Sequence, residues 1–143
     1  AIAGDRKQQS VLDAGADRVL VRGASLEAAL GENAVDVVID LVGGEEWPEL
    51  LNILRPFGRY AVSGAIAGPN VALDLRTLYL KDQRFMGCTV LDEGVFSRLV
   101  NLIERAEVKP LLARSFPLKD LSEAQAFFLE KRFTGKLVID MAL

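Results

Sequence analysis

The 143-residue chain has no histidine and a single cysteine, Cys88. One cysteine excludes a disulfide framework within the chain. Together the two shortages exclude an ordinary Cys/His zinc site built from this chain alone. Without an imidazole the chain cannot assemble a Ser-His-Asp or Cys-His nucleophile either. No apolar run reaches the length of a membrane span and no signal peptide is visible, so no membrane partner is expected. A cytoplasmic, reducing compartment is the default. The formal net charge of −3 leaves no general surface for nucleic acid. Repeats and low-complexity segments are absent as well.

What is present is globular composition. Half the residues are hydrophobic and 26% are charged, in a chain long enough for one domain with its own core. The most informative stretch is Val35 to Gly44, VDVVIDLVGG. Val35, Val37, Val38, Ile39, Leu41 and Val42 leave no polar face, so both faces of this strand are expected to be covered. That pattern predicts a central parallel strand flanked by helices. In open α/β sheets, ligands bind beyond the carboxyl ends of such strands. A second unit, Gly58 to Gly64 (GRYAVSG), also ends in small residues. Two adjacent strand ends that turn on glycine let a flat cofactor approach the backbone.

The rest of the chain alternates strand and helix. Ala1 to Ala3 reads as the tail of a strand, and the start on Ala rather than Met suggests a fragment. Asp5, with Gln8 three residues on, predicts a capping box for a helix ending at Gly15. Arg18 to Val21 is a short strand, and Ser25 caps a helix, LEAAL. Trp47-Pro48 opens a helix with proline in its first turn. Leu50, Leu51, Ile53 and Leu54 form its buried stripe, and Pro56 and Gly58 end it. Tyr60 to Ser63 is a strand, Asp74 caps LRTLYL, and Arg84 to Cys88 is a strand. Glu93 to Ala106 is an amphipathic helix with Val95, Leu99, Leu102 and Ile103 on one side. Val108-Lys109-Pro110 then breaks the pattern. A strand ARSFPL follows, and a helix is opened by Asp120 with Glu123 three residues later. Its buried stripe is Leu121, Ala124, Phe127 and Phe128. A last strand, GKLVID, closes the chain. This order predicts an α/β fold with a doubly wound parallel sheet.

Five pieces in this order carry a resemblance. They are DRKQQSVLDAGADRVL, VDVVIDLVGG, LRPFGRYAVSG, LDLRTLYLKDQRFMGCT and FPLKDLSEAQAFFLEKRFTGKLVI. Together they resemble the medium-chain dehydrogenase/reductase family, in its zinc-type alcohol dehydrogenase and quinone oxidoreductase branch. The resemblance implies an incomplete Rossmann-type sheet. Residues 1–108 would form part of an NAD(P)-binding domain. Residues 109–143 would pack with a catalytic domain that is not in this chain. The family's Gly-rich turn, which sets the pyrophosphate at a helix N-terminus, has no match here. The family's first strand, normally central between the second and fourth, is also unmatched. Two inner strands would therefore lose a neighbour, and the segment alone is not expected to be a stable monomer.

The resemblance also implies a site. The position that reads the adenosine ribose falls on Ile2, which cannot bind hydroxyls as an acid would. Arg6 and Lys7 follow, and Arg22 lies past the next strand. Lys7 matches a lysine that meets the 2′-phosphate of NADP in quinone oxidoreductase relatives, and Arg22 matches another contact to that phosphate. Such cations favour NADP(H) over NAD(H); the plain alternative is that all three are solvated surface charges. Leu41, Val42 and Gly43 would line the path from adenine ribose to nicotinamide, or simply be strand and turn. Ser63, Gly64 and Ala65 match residues at the nicotinamide ribose and ring. Cys88, Thr89 and Val90 match backbone positions that hold the carboxamide, although a cysteine like Cys88 is commonly a small buried hydrophobe. Lys136 matches a basic position near the phosphates, or is a surface lysine. Asp40 reads as a cap on the following turn rather than a catalytic acid. The pair Glu45 and Glu46 reads as a solvated helix start.

The expected activity is an NADPH-dependent oxidoreductase that moves hydride between nicotinamide and a carbonyl, alcohol, quinone or activated alkene. No catalytic side chain and no metal ligand is assigned within the chain. Zinc enters only if ligands exist upstream. The expected partners are a small-molecule substrate and further copies of the chain, as a homodimer or tetramer joined near Arg84 to Cys88. Two alternatives stand beside this reading. One is a family member that binds NADPH in a structural or RNA-associated role. The other is the enoyl reductase domain of a larger synthase.

Overall fold

A computed structural model describes residues 1–142. The chain forms two compact units, Ala1–Leu91 and a second that begins at Asp92. The division falls upstream of Val108, where the sequence pattern breaks.

The first unit alternates strand and helix. Strand β1 (Ile2–Ala3) leads through a 3-10 turn (Asp5–Lys7) into α1 (Gln8–Asp13). Then follow β2 (Leu20–Val21), α2 (Leu26–Leu30), β3 (Val35–Asp40), α3 (Trp47–Ile53), β4 (Leu54–Val62), α4 (Leu75–Leu80) and β5 (Arg84–Gly87). Every pairing is parallel. β1 pairs with β2, placing Ile2 opposite Leu20, and β3, β4 and β5 form a second sheet in that order. β1 and β3 are thus each the end strand of a separate sheet, and a cleft of about 420 Å³ lies between them. The interruption falls where the resemblance leaves the sheet one strand short.

The core lies on one side of β3. Trp47, Leu50, Leu51 and Leu54 recur at helical spacing and are buried with Leu26, Val38, Ile53 and Tyr60. Each such side chain contributes about 1.5–3 kcal/mol by leaving water. Trp47, Tyr60 and Phe85 meet as a trio, with ring centroids 5.4–5.8 Å apart. Two carboxylates and a serine fix the local turns. Ser25 accepts from the Ala28 N–H and caps α2, and Glu49 of α3 accepts from the Leu26 N–H at 2.7 Å, tying α2 to α3. Asp74 caps α4 by accepting from the Arg76 N–H. At the far end of α3, the orphan carbonyls of Leu51, Asn52 and Leu54 take bonds from Lys81 Nζ and Gln83 Nε2.

Several expectations are corrected. β3 is covered on one face only: Val38 and Asp40 are buried, whereas Ile39 is 68% and Leu41 60% exposed. The apolar run gives both faces the chemistry to be covered, but α2 and α3 cover only the side that carries Val38. Asp5 does not cap a helix. It sits inside the 3-10 turn after Gly4, and Gln8 donates to its side chain at 2.8 Å instead of closing a capping box. Nor do Pro56 and Gly58 end a helix, because β4 begins at Leu54 and runs through both. The proline is tolerated because the register breaks there: Val35 faces Leu54, but Val37 faces Arg59.

The second unit holds α5 (Val95–Glu104), β6 (Leu112–Pro117), a 3-10 turn (Leu118–Asp120), α6 (Leu121–Glu130) and β7 (Lys136–Asp140). β6 and β7 are parallel and joined through α6. Phe116 and Ala124 are buried, and Phe127 stacks on Phe133 at 5.2 Å. Asp120 makes no side-chain cap, and Glu123 pairs instead with Arg114 at 3.0 Å. Of the stripe expected on α6 only Ala124 is buried, and none of the stripe on α5 is. Among the described residues, no helix is long and apolar enough to cross a membrane.

Candidate functional site

Because β3, β4 and β5 run parallel, their carboxyl ends share one edge. After Asp40 the chain turns through Leu41 to Gly44, with Gly43 at φ 61° and Gly44 at φ 84°, a conformation that disfavours a side chain. The loop after β4 folds over this turn. Ala67 N–H donates to the Val42 carbonyl at 2.9 Å, and Gly44 N–H to the Gly68 carbonyl at 3.1 Å. The strand tips are stitched in sequence: Ser63 N–H donates to the Asp40 carbonyl at 2.9 Å and Cys88 N–H to the Val62 carbonyl at 2.8 Å. Gly64 lies so close to the first turn that a Cβ there would fall 2.8 Å from the Leu41 carbonyl oxygen.

Beneath this edge sits a buried polar pair. Asp40 Oδ1 accepts the Val42 N–H at 2.7 Å and the Gly43 N–H at 3.0 Å, while Oδ2 accepts the Tyr60 hydroxyl at 2.6 Å. Asp40 is 5% exposed and Tyr60 3%. Burial pushes the Asp40 carboxyl up. The hydrogen bonds from Tyr60, Gly43 and Val42 together outweigh it, so the group sits below the ordinary 3.8. Burial first, then the bond to Asp40, pushes the Tyr60 hydroxyl well above its ordinary 10.0. The carboxylate is therefore charged, with both oxygens bonded, and serves as a cap; no acid–base role follows from it.

Two of the clefts along this edge take in expected site residues. One, of about 520 Å³, is lined by Ser63, Gly64, Ala65, Cys88, Thr89 and Val90 with the adjoining strand ends. The other is the cleft between β1 and β3, which Leu41, Val42, Gly43 and Arg22 line together with Arg18. Leu41, Val42, Gly43, Ser63, Gly64, Cys88 and Val90 thus gather at one rim, and Arg22 stands across the cleft from the first three. Cys88 is exposed rather than buried as a small hydrophobe. Arg6 and Lys7 lie in the 3-10 turn after β1 and line neither cleft. Lys136 opens β7, in the second unit.

Sequence reasoning missed Tyr60 as a partner for Asp40. The available signal was weak: Tyr60 reads as one more aromatic in a strand, and only the register that sets it opposite Val38 brings it near Asp40. Arg18, whose guanidinium donates to the Ala29 carbonyl at 3.0 Å, was likewise read only as the start of a strand.

The strand tips fit a dinucleotide along its ribose and ring: small residues, bare backbone and a continuous rim. They do not fit its pyrophosphate, because the chain holds no G-x-G-x-x-G turn. Among the described residues no three His, Cys, Asp or Glu side chains gather as metal ligands. A zinc ion therefore has no ligand set here.

Comparison with known proteins places this geometry. A family profile described as zinc-binding dehydrogenase matches residues 14–139. The chain is 28% identical to quinone oxidoreductase-like protein 2 of Bos taurus, over 99% of this chain and 44% of that protein. It is 28% identical to acryloyl-coenzyme A reductase of Sulfurisphaera tokodaii, over 87% of the chain and 37% of the relative. A solved structure from Sinorhizobium meliloti 1021, described as an alcohol dehydrogenase, superposes with a TM-score of 0.85 at 45% identity. That alignment covers 98% of this chain and 41% of that one, so the chain spans less than half the length of these proteins. The match over most of its length shows that the chain belongs to the zinc-binding dehydrogenases of the medium-chain dehydrogenase/reductase family.

Proposed function

We propose that this chain forms the nicotinamide-side half of the cofactor groove in an NADPH-dependent oxidoreductase. The observation that carries the reading is the convergence of three strand tips, at Leu41–Gly43, Ser63–Gly64 and Cys88–Val90, along one edge. Nicotinamide supplies hydride chemistry when bound. The residues here position it. Gly64 and Gly43 give close backbone approach, and Ser63 and Cys88 to Val90 wall the ring. Arg22 sits where a 2′-phosphate would gain a charge-assisted bond, which supports NADPH over NADH. Substrate-polarising groups are assigned to parts of the protein other than this chain. Arg6 and Lys7 at the 2′-phosphate belong to the same reading, as does homodimer or tetramer assembly through the open edge of β5.

Within this class, reduction of an activated alkene conjugated to a thioester has specific support in the relative named acryloyl-coenzyme A reductase. The test is NADPH and NADH oxidation by the intact protein against quinones, enones, aldehydes and enoyl thioesters. Turnover of at least one substrate class with NADPH preferred is expected. No oxidation of either nucleotide with any class would overturn the reading.

A further inference from the structure

The turn after β3 presents three consecutive residues to the candidate groove, and something must hold it. Its own residues offer little packing, because Leu41 is largely exposed and Gly43 and Gly44 carry no side chain. Glycine at two successive positions leaves the free chain many conformations. The turn is fastened on one side by the backbone bonds to Ala67 and Gly68 and from below at one carboxylate. Asp40 collects the N–H groups of Val42 and Gly43 on one oxygen and the Tyr60 hydroxyl on the other. Tyr60 cannot move to follow a wandering carboxylate, because its ring is wedged against Trp47 and Phe85.

We propose that Tyr60 and Asp40 are a positioning pair that sets the conformation of the Leu41–Gly44 turn, and through it the affinity for the dinucleotide. The inference rests on the cofactor reading above and adds to it two residues that act from beneath the rim, Asp40 through the backbone amides it holds and Tyr60 through Asp40. The geometry divides the work. Asp40 fixes the backbone, while Tyr60 fixes Asp40 by a buried bond. Removing the hydroxyl leaves one oxygen of a buried carboxylate unpaired. Such an oxygen seeks another donor and rotates away from the Val42 and Gly43 amides. The turn then samples alternatives, and only a fraction of molecules presents the bound-state rim, which weakens apparent affinity by that fraction.

The test uses the intact protein that carries this chain. Tyr60→Phe keeps the ring and deletes the hydroxyl. Leu51→Val trims a residue of the same buried core that makes none of the hydrogen bonds of the turn or the pair, and serves as a control for lost stability. For Tyr60→Phe, KM for NADPH and NADH should both rise about tenfold, with kcat and the KM of the second substrate within about twofold of the parent. Amide exchange at Val42 and Gly43 should speed up in Tyr60→Phe and stay unchanged in Leu51→Val. Nucleotide KM values unchanged in Tyr60→Phe would overturn the inference. So would an equal rise in Leu51→Val, which would make the effect one of general stability. A parent protein that binds neither NADPH nor NADH would defeat the cofactor reading itself, and this inference with it. Unchanged KM against a parent that does bind defeats the inference alone.

Discussion

The missing Cβ of Gly64 is what lets β4 end against the turn from β3: built there, it would stand 2.8 Å from the Leu41 carbonyl oxygen. That separation is shorter than a real Cβ contact, and the oxygen belongs to backbone that cannot swing aside like a side chain. Gly64→Ala must therefore push the two tips apart. A destabilisation of about 1–3 kcal/mol is expected, as for other overpacked sites. Urea unfolding of the intact protein would report it as a lower midpoint with an unchanged slope. A variant as stable as the parent would show that the two tips are free to separate.

Acid should loosen the turn after β3. The Asp40 carboxyl is held below 3.8 in the folded state, so the folded state binds its proton less readily than the unfolded chain. Its stabilising contribution is present above that value and is lost as pH falls through the folded value. Tyr60 works at the other end. Its hydroxyl is raised above 10.0, so its contribution is complete below that pH and is lost as pH climbs beyond it. Urea midpoints should fall on both limbs. Asp40→Asn should flatten the acid limb, and Tyr60→Phe should flatten the alkaline one. A parallel drop in the parent and Asp40→Asn would assign the acid limb to other carboxylates.

Trp47 is the only tryptophan, and it is buried against Tyr60 and Phe85. Its fluorescence therefore reports the core of the first unit directly. Phe85→Ala should cost about 3–5 kcal/mol or less, since Phe85 is only partly buried. The unfolding transition followed by Trp47 emission should move to lower denaturant. If emission were that of a solvated indole before any denaturant is added, the packing described here would be wrong.

The carboxyl end of α3 is closed by groups that follow it by thirty residues in sequence. Gln83 Nε2 donates to the carbonyls of Leu51 at 3.0 Å and Leu54 at 3.2 Å, and its own Oε1 is buried without a partner. Gln83→Leu takes the shorter donor from each carbonyl, leaving them Lys81 Nζ at 3.4 and 3.3 Å, but also removes the unpaired oxygen. A net loss of about 1 kcal/mol is expected, because two shorter hydrogen bonds outweigh one unpaired oxygen. Thermal unfolding distinguishes this from a gain, which would mean the orphaned oxygen dominates.

Much of this was legible from residue pattern, and the exceptions have physical causes. The Ser25 and Asp74 caps and the proline at the head of α3 are local signals, and the structure uses each as expected; the apolar run at Val35–Asp40 forms its strand but is covered on one face only. Asp5 and Asp120 carry the same local signal yet cap nothing, because each lies inside a 3-10 turn that starts the helix one turn early. Pro56 misleads for a different reason. A proline stops a strand only where its N–H is needed, and the register break between Val35 and Val37 removes that need. The glycines of the rim were readable because they follow strands. The Asp40–Tyr60 bond was not, because it depends on the register between β3 and β4, which no single segment encodes.

The central claim is that the tips of β3, β4 and β5 form one face of a nicotinamide groove. The most direct measurement is backbone amide exchange or chemical-shift change in the intact protein as NADP is added. Changes concentrated at Leu41–Gly44, Ser63–Ala65 and Gly87–Val90 are predicted. Saturable binding that leaves all three segments undisturbed would contradict it.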